Sequence, residues 1–261
     1  MTSTTVLMHG GFTMSNADRI VVFGGSGFLG SHLADTLSDS GYQVTIFDQV
    51  ESQWLRDDQQ MVIGDILDDE AVSSVIKGAR FVYHLAGVAD LGQAAAKPRQ
   101  TIISNVLGST NIIEACVEHA VERLMFASTV YVYSDKGSFY RVSKQSTELL
   151  IEAYRQQFDL NYTILRYGSL YGPRAQDWNG LKQFVVQAVR NNRIIYPGTG
   201  RERREYIHVH DAARLSVQAL ADDFRNECLT LTGAQIMTSQ EMLEIIREVS
   251  GKDIQIEFKV T

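Results

Sequence analysis

The stretch Arg19-Ile20-Val21-Val22-Phe23-Gly24-Gly25-Ser26-Gly27-Phe28-Leu29-Gly30 decides the fold. Residues 20–23 form a continuous apolar run of strand length, the pattern of a strand covered on both faces. Glycines 24, 27 and 30 follow at G-x-x-G-x-x-G spacing, and a helical pattern runs over 31–40. A glycine turn between strand and helix lets backbone N–H groups approach a pyrophosphate. Gly41 stops the helix, and 44–47 reads as the next strand, closed by Asp48 eighteen positions after Gly30. A carboxylate there accepts hydrogen bonds from the adenosine ribose hydroxyls and repels a 2′-phosphate. NAD(H) is therefore favoured over NADP(H).

Working outward, further apolar strands are expected at 61–63, 81–85, 124–127 and 162–165. Helical patterns at 69–77, 102–119 and 140–158 separate them. Strand alternating with helix is the signature of an α/β fold, a Rossmann-type doubly wound parallel sheet. Asp65 closes the third strand and has two readings, a contact to the adenine or an acid at the start of the next helix. Past Arg166 the rhythm loosens, with helices at 181–191, 212–222 and 239–249 and strands at 206–209 and 254–258. The expected organisation is a flexible leader over 1–18, a dinucleotide-binding domain over 19–166 and a small substrate lobe over 167–261 interleaved with late elements of the Rossmann sheet. The leader has no basic segment before its short apolar patch, so it does not read as a signal peptide.

Composition sets outer limits. Lys plus Arg number 24 against 31 Asp plus Glu, a net charge of −7, which argues against a nucleic-acid surface. Two cysteines, Cys116 and Cys228, lack the spacing of a metal site or disulfide framework, so a reducing cytoplasm is expected. No apolar run approaches membrane-spanning length. His208 and His210 stand two apart, but without a third ligand at suitable spacing no metal is expected. His84, following a buried strand, is expected to be a hydrogen-bonded structural histidine.

Tyr140 and Lys144 are spaced i and i+4, which puts phenol and ammonium on one helix face. A tyrosine pKa near ~10 must be lowered for base chemistry at neutral pH, and a nearby Lys and a positive nicotinamide would lower it. A hydroxyl at a strand end, Ser128 or Thr129, can hold the substrate oxygen.

With these motifs in hand, the sequence resembles the extended short-chain dehydrogenase/reductase family, in its NAD-dependent sugar-nucleotide epimerase/dehydratase branch (UDP-glucose 4-epimerase-like). The resemblance runs from about Arg19 to the C-terminus. It rests on Gly24 to Gly30, Asp48, Gly64-Asp65, His84-Leu85-Ala86-Gly87 and Asn105 to Asn111. Ser128-Thr129, Tyr140/Lys144, Leu165-Arg166, Tyr171-Gly172-Pro173 and Arg204 to Asp211 continue it. It implies an NAD site drawing on Gly24, Gly27, Phe28, Leu29, Gly30, Asp48, Asp65, Ile66, Leu85, Ala86, Gly87, Asn105, Tyr140 and Lys144. It also implies substrate contacts from Thr129, Ser169 and Arg204, the last to a nucleotide diphosphate, and a homodimer through helices 102–119 and 140–158. In the family's 4,6-dehydratases an Asp and a Glu follow the catalytic hydroxyl; here those places hold Val130 and Tyr131. Elimination of water would lack its acid and base, which leaves reversible oxidation of a ring alcohol. Epimerisation is the first expectation and an NAD(P)H-dependent carbonyl or nucleotide-sugar reductase the second. A catalytically silent NAD-binding regulatory or scaffold protein is a third, from a different class. Tyr140 follows Thr129 by only eleven positions, so a short substrate loop and an open pocket are expected. The chain stops at Thr261, earlier than the resemblance implies, so the lobe is expected to be minimal or truncated.

Overall fold

The computed structural model describes residues 18–259. Apart from Asp18, the expected leader lies outside them. Seven parallel strands form the central sheet. They are β1 (Arg19–Phe23), β2 (Gln43–Asp48), β3 (Gln59–Ile63), β4 (Phe81–His84), β5 (Arg123–Thr129), β6 (Tyr162–Tyr167) and β10 (Glu227–Leu231). Their order is β10-β6-β5-β4-β1-β2-β3. The apolar run of β1 needs two cores, and it has them. Ile20 and Val22 pack with Leu33 and Leu37 of α1 (Phe28–Asp39) and Ala212 and Ala213 of α8 (Val209–Gln218). Val21 and Phe23 face Ile112, Ile113 and Ile151, from α5 (Gly108–Glu118) and α6 (Ser138–Phe158). Full burial of each such side chain contributes about 1.5–3 kcal/mol, and losing either face would unpack the sheet.

The strand order reverses at β1, which pairs with β2 on one side and β4 on the other. Phe23 is level with Phe47 and with His84, so Gly24 and Leu85 leave the sheet at the height of Asp48, the last residue of β2. Connections diverge from such a switch point and leave a crevice above the strand ends.

Two small sheets build the second lobe. β9 (Arg203–His208) pairs in parallel with β7 (Ser169–Tyr171) and antiparallel with β11 (Ile236–Thr238); β8 (Arg193–Tyr196) pairs with β12 (Gln255–Phe258). Ala188 of α7 (Gly180–Asn191) and Leu243 of α9 (Ser239–Ser250) close its core with Ile194 and Ile254. The lobe does not form one continuous tail: α8 returns to pack on α1, and β10 returns to pair with β6.

Several local expectations change. α1 begins at Phe28 rather than Ser31, so the glycine turn runs straight into it. The helix expected over 102–119 is α4 (Pro98–Ile102) and α5 joined by a π-helical turn, Ile103–Leu107. α2 (Asp69–Ile76) is capped by Asp68, whose carboxylate accepts from the Ala71 N–H. His208 caps α8 with its own ring nitrogen, so His208 and His210 are not strand neighbours. A short helix, α3 (Leu91–Ala96), was not anticipated.

Candidate active site

A cleft of about 830 Å³ runs from the glycine turn to the second lobe. At its first end Gly24, Gly27, Phe28, Leu29, Gly30, Asp48, Ile66, Leu85, Ala86 and Gly87 all line it. Gly24 has φ +79°, and a Cβ there would sit 2.6 Å from the Ala86 nitrogen. A Cβ on Gly30 would lie 2.1 Å from the Gly24 carbonyl oxygen. Only glycine allows this crossing of turn and helix. No side chain caps α1 and no acid sits in its first turn, so its leading N–H groups and positive dipole end stay available to an anion. Asp48 accepts from the Ser26 N–H at 3.0 Å, which ties the second strand end to the turn. A glycine cradle, an uncapped helix start and an acid at the second strand end fit a dinucleotide.

Asp65 and Asn105 are turned to the protein itself rather than to the cleft. Asp65 does not line the cleft; its carboxylate turns back to the Leu67 N–H at 3.0 Å, and Asp68 takes the capping role. Asn105, buried in the π turn, accepts from the Val88 N–H at 2.7 Å and donates to the Val88 carbonyl and Ser143 Oγ. It fastens the loop after β4 to α6, and its neighbour Ser104 reaches the cleft in its place.

Midway along the cleft α6 presents Tyr140 and Lys144 beside the end of β5. Thr129 Oγ1 accepts from the Tyr131 N–H at 3.2 Å and favours the charged form of the neighbouring Tyr140 phenol, whereas Ser128 donates its hydroxyl to Glu148 at 2.5 Å. Both residues line the cleft, but only Thr129 acts on Tyr140. Lys144 Nζ donates to the Ala127 carbonyl at 2.8 Å and lies 5.9 Å from the Tyr140 ring centre. Burial pushes the Tyr140 phenol up to about 12, with the Thr129 hydroxyl opposing. Burial also brings Lys144 down to about 8, with Glu148 opposing. The expected lowering of Tyr140 is thus absent from the protein's own groups, because desolvation of the phenolate outweighs them. His84 is only half satisfied: Nε2 meets Ser109 Oγ at 2.7 Å, while Nδ1 has no partner.

Ser169 and Arg204 line the far end, together with Tyr131, Trp178, Phe184, Tyr196 and Tyr206. Arg204 donates to the Tyr131 hydroxyl at 3.1 Å, and the Tyr131 ring stands edge-on to Tyr140 at 6.5 Å. Sequence reasoning had Tyr131 only as a missing carboxylate and missed the other aromatics, whose meeting depends on how the lobe folds. Among the described residues, Asp48 and Asp90 are the carboxylates lining the cleft, and Asp90 is occupied capping α3. Also among them, no cluster of His, Cys, Asp and Glu is placed to hold a metal, and no helix is long and apolar enough to cross a membrane.

Residues 20–228 match the family described as the NAD dependent epimerase/dehydratase family. The chain belongs to this family. It is an enzyme of that family, and its cofactor is NAD. Among curated relatives, a UDP-N-acetyl-alpha-D-glucosaminuronate decarboxylase of Bacillus cytotoxicus is 27% identical, over 92% of this chain and 84% of its own. Among solved structures, the UDP-glucose 4-epimerase of Thermotoga maritima with UDP-glucose superposes with TM-score 0.87 and 26% identity, covering 93% of this chain and 85% of that one. The Thermus thermophilus UDP-glucose 4-epimerase in complex with NAD gives 0.83 and 26%, covering 92% and 85%.

Proposed function

We propose that the protein epimerises a nucleotide-diphosphate sugar by transient oxidation of a ring hydroxyl, in the manner of a 4-epimerase. One observation carries this reading within the family. Thr129, Tyr140 and Lys144 converge on a cleft whose substrate end bears no carboxylate among the described residues. Elimination of water needs an acid and a base there, whereas moving one proton and one hydride needs only the phenol and its partners. The similarity to two UDP-glucose 4-epimerases supports the same reaction class.

In this reading the α1 N-terminus and glycine turn hold the pyrophosphate, and Asp48 holds the adenosine ribose. Bound NAD supplies the hydride acceptor and donor. Thr129 orients the substrate hydroxyl, and Tyr140 takes its proton and later returns it. Lys144 holds the second ribose and lends positive charge to the Tyr140 oxygen. Arg204 and Ser169 contact the sugar nucleotide, with Tyr131 keeping the guanidinium in place. The second lobe begins after β6, and α8 and β10 return from it to the dinucleotide-binding domain. Exposed apolar side chains at Leu107, Val142, Leu149 and Phe158 support a homodimer through helices 102–119 and 140–158. Free Cys116 and Cys228 suit a cytoplasmic protein.

The test is Tyr140→Phe with a panel of UDP-, dTDP- and GDP-sugars. Turnover should fall by at least about 100-fold, while the NAD released on denaturation, read by mass spectrometry, stays equal to wild type. Undiminished turnover in the variant refutes the assignment. Wild-type protein that purifies empty and consumes NADH stoichiometrically would be a reductase.

A further inference from the structure

The carboxylate of Glu148 takes no part in the steps above, yet it is the one acid counted as buried among the described residues. Oε1 accepts from Ser128 Oγ at 2.5 Å and from Arg166 Nε at 3.0 Å, and Oε2 accepts from Arg166 Nη2 at 2.6 Å. Ser128 is level with Arg166 across β5 and β6. On either side of Ser128 stand Ala127, whose carbonyl receives Lys144 Nζ, and Thr129, which neighbours Tyr140. Glu148 itself lies one helical turn beyond Lys144. A single carboxylate therefore joins α6, the end of β5 and β6 where the candidate reacting groups meet. A buried ion pair is a weak source of stability, since apolar side chains of similar volume often serve as well. Its placement here calls for another purpose.

We infer that Glu148 is a positioning residue for the Tyr140/Lys144 pair: it fixes α6 against the strand end carrying Thr129 and sets a negative charge one helical turn from the Lys144 ammonium. The mechanistic meaning rests on the roles given above to Tyr140 and Lys144. Burial alone drives a lysine toward its neutral form, and Glu148 opposes that at Lys144. The other groups near this spot do not substitute for it: Tyr133 accepts from Arg166 through its hydroxyl, and Glu152, one turn further along α6, acts on Cys228. His84 from β4 is held well below its usual range by burial, and Cys228 from β10 is held above its own, so both are neutral near pH 7. Arg166 from β6 is a cation, and Tyr140 on the same helix is raised to about 12. Among these groups Lys144 is the one that burial brings toward neutral pH, to about 8.

The experiment titrates Lys144 directly, by NMR of protein labelled with ¹³C at lysine Cε, the signal being assigned by its loss in Lys144→Met. In Glu148→Gln the midpoint should fall by about one pH unit, whereas Glu148→Asp should keep it near wild type. Arg166→Gln, which removes the neighbouring cation, should move it upward. Opposite signs are not expected from loosened packing alone. An unmoved midpoint in Glu148→Gln, or a fall in both Glu148→Gln and Arg166→Gln, overturns the inference. If Glu148→Gln does not fold, Arg166→Gln decides by the same upward shift or its absence. The alkaline limb of kcat should follow the midpoint, with KM within about twofold of wild type if Glu148 acts through Lys144. Full turnover in Lys144→Met would instead refute the proposed mechanism, which the NMR midpoints do not depend on.

Discussion

An alanine at position 30 probes the turn on which cofactor binding depends. The added Cβ falls 2.1 Å from the Gly24 carbonyl oxygen and 2.8 Å from Gly25 Cα. Both are backbone atoms, so no side-chain rotation relieves the clash. Restoring contact requires the turn and α1 to separate by roughly 1 Å. Overpacking of this kind costs about 1–3 kcal/mol. Taking 2 kcal/mol, the melting temperature should fall by about 4–8 °C for a chain of this length. The same displacement moves the N–H groups that face the pyrophosphate, and an equal loss there weakens NAD binding about 30-fold. Gly27→Ala is the comparator, because its Cβ would meet only the Gly24 oxygen, at 3.2 Å. Its melting temperature should drop by less than about 2 °C. Differential scanning calorimetry without added NAD and isothermal titration with NAD supply the two readings. Wild-type stability and affinity in Gly30→Ala, or equal destabilisation in Gly27→Ala, would show that close approach is not what these glycines provide.

Acid should destabilise the fold through its buried imidazoles. Burial holds His84 well below the ordinary histidine range, and it lowers His32 too. Each takes up a proton more readily once unfolded, so stability is full above the unfolded pKa of about 6.5 and declines below it by up to about 1.4 kcal/mol per pH unit per histidine. Chemical denaturation at pH 7.5 and 5.5 should show this loss, and His84→Gln should reduce it; an unchanged slope in the variant would place the effect elsewhere. Asn105→Ala leaves the Val88 N–H and carbonyl without their partner and should cost about 1–3 kcal/mol. Faster amide exchange at Val88 would accompany it, and wild-type protection there would count against the fastening role.

Much of the site could be read from the chain because its parts are local. The turn, Asp48 and the Tyr140/Lys144 pair each lie within one strand–turn–helix unit, and the strands of the sheet centre carry unbroken apolar runs. What escaped depends on distant partners. β10 reads Glu-Cys-Leu-Thr-Leu, a half-buried edge strand without a clear run, and only its pairing with β6 makes it a strand. α3, Leu-Gly-Gln-Ala-Ala-Ala, is less than two turns long and has no apolar period. Asp65 follows a strand as a cofactor acid should, but its short side chain reaches the Leu67 N–H first. The commitment of Ser128 to Glu148 joins residues twenty positions apart, and nothing in either motif signals which neighbouring hydroxyl is spent in this way.

The return of β10 to the sheet also bears on how the chain is made. On the ribosome β6 emerges with one row of backbone N–H and C=O groups unpaired, and residues 227–231 must follow before β10 can cover it. All of β7, α7, β8, β9 and α8 is synthesised in the interval. During that time the growing sheet presents an open parallel edge, the surface most prone to pairing with another chain. The sheet is therefore finished last at the edge farthest from the glycine turn, and yield in the cell should depend on holding that edge apart until the late strand arrives.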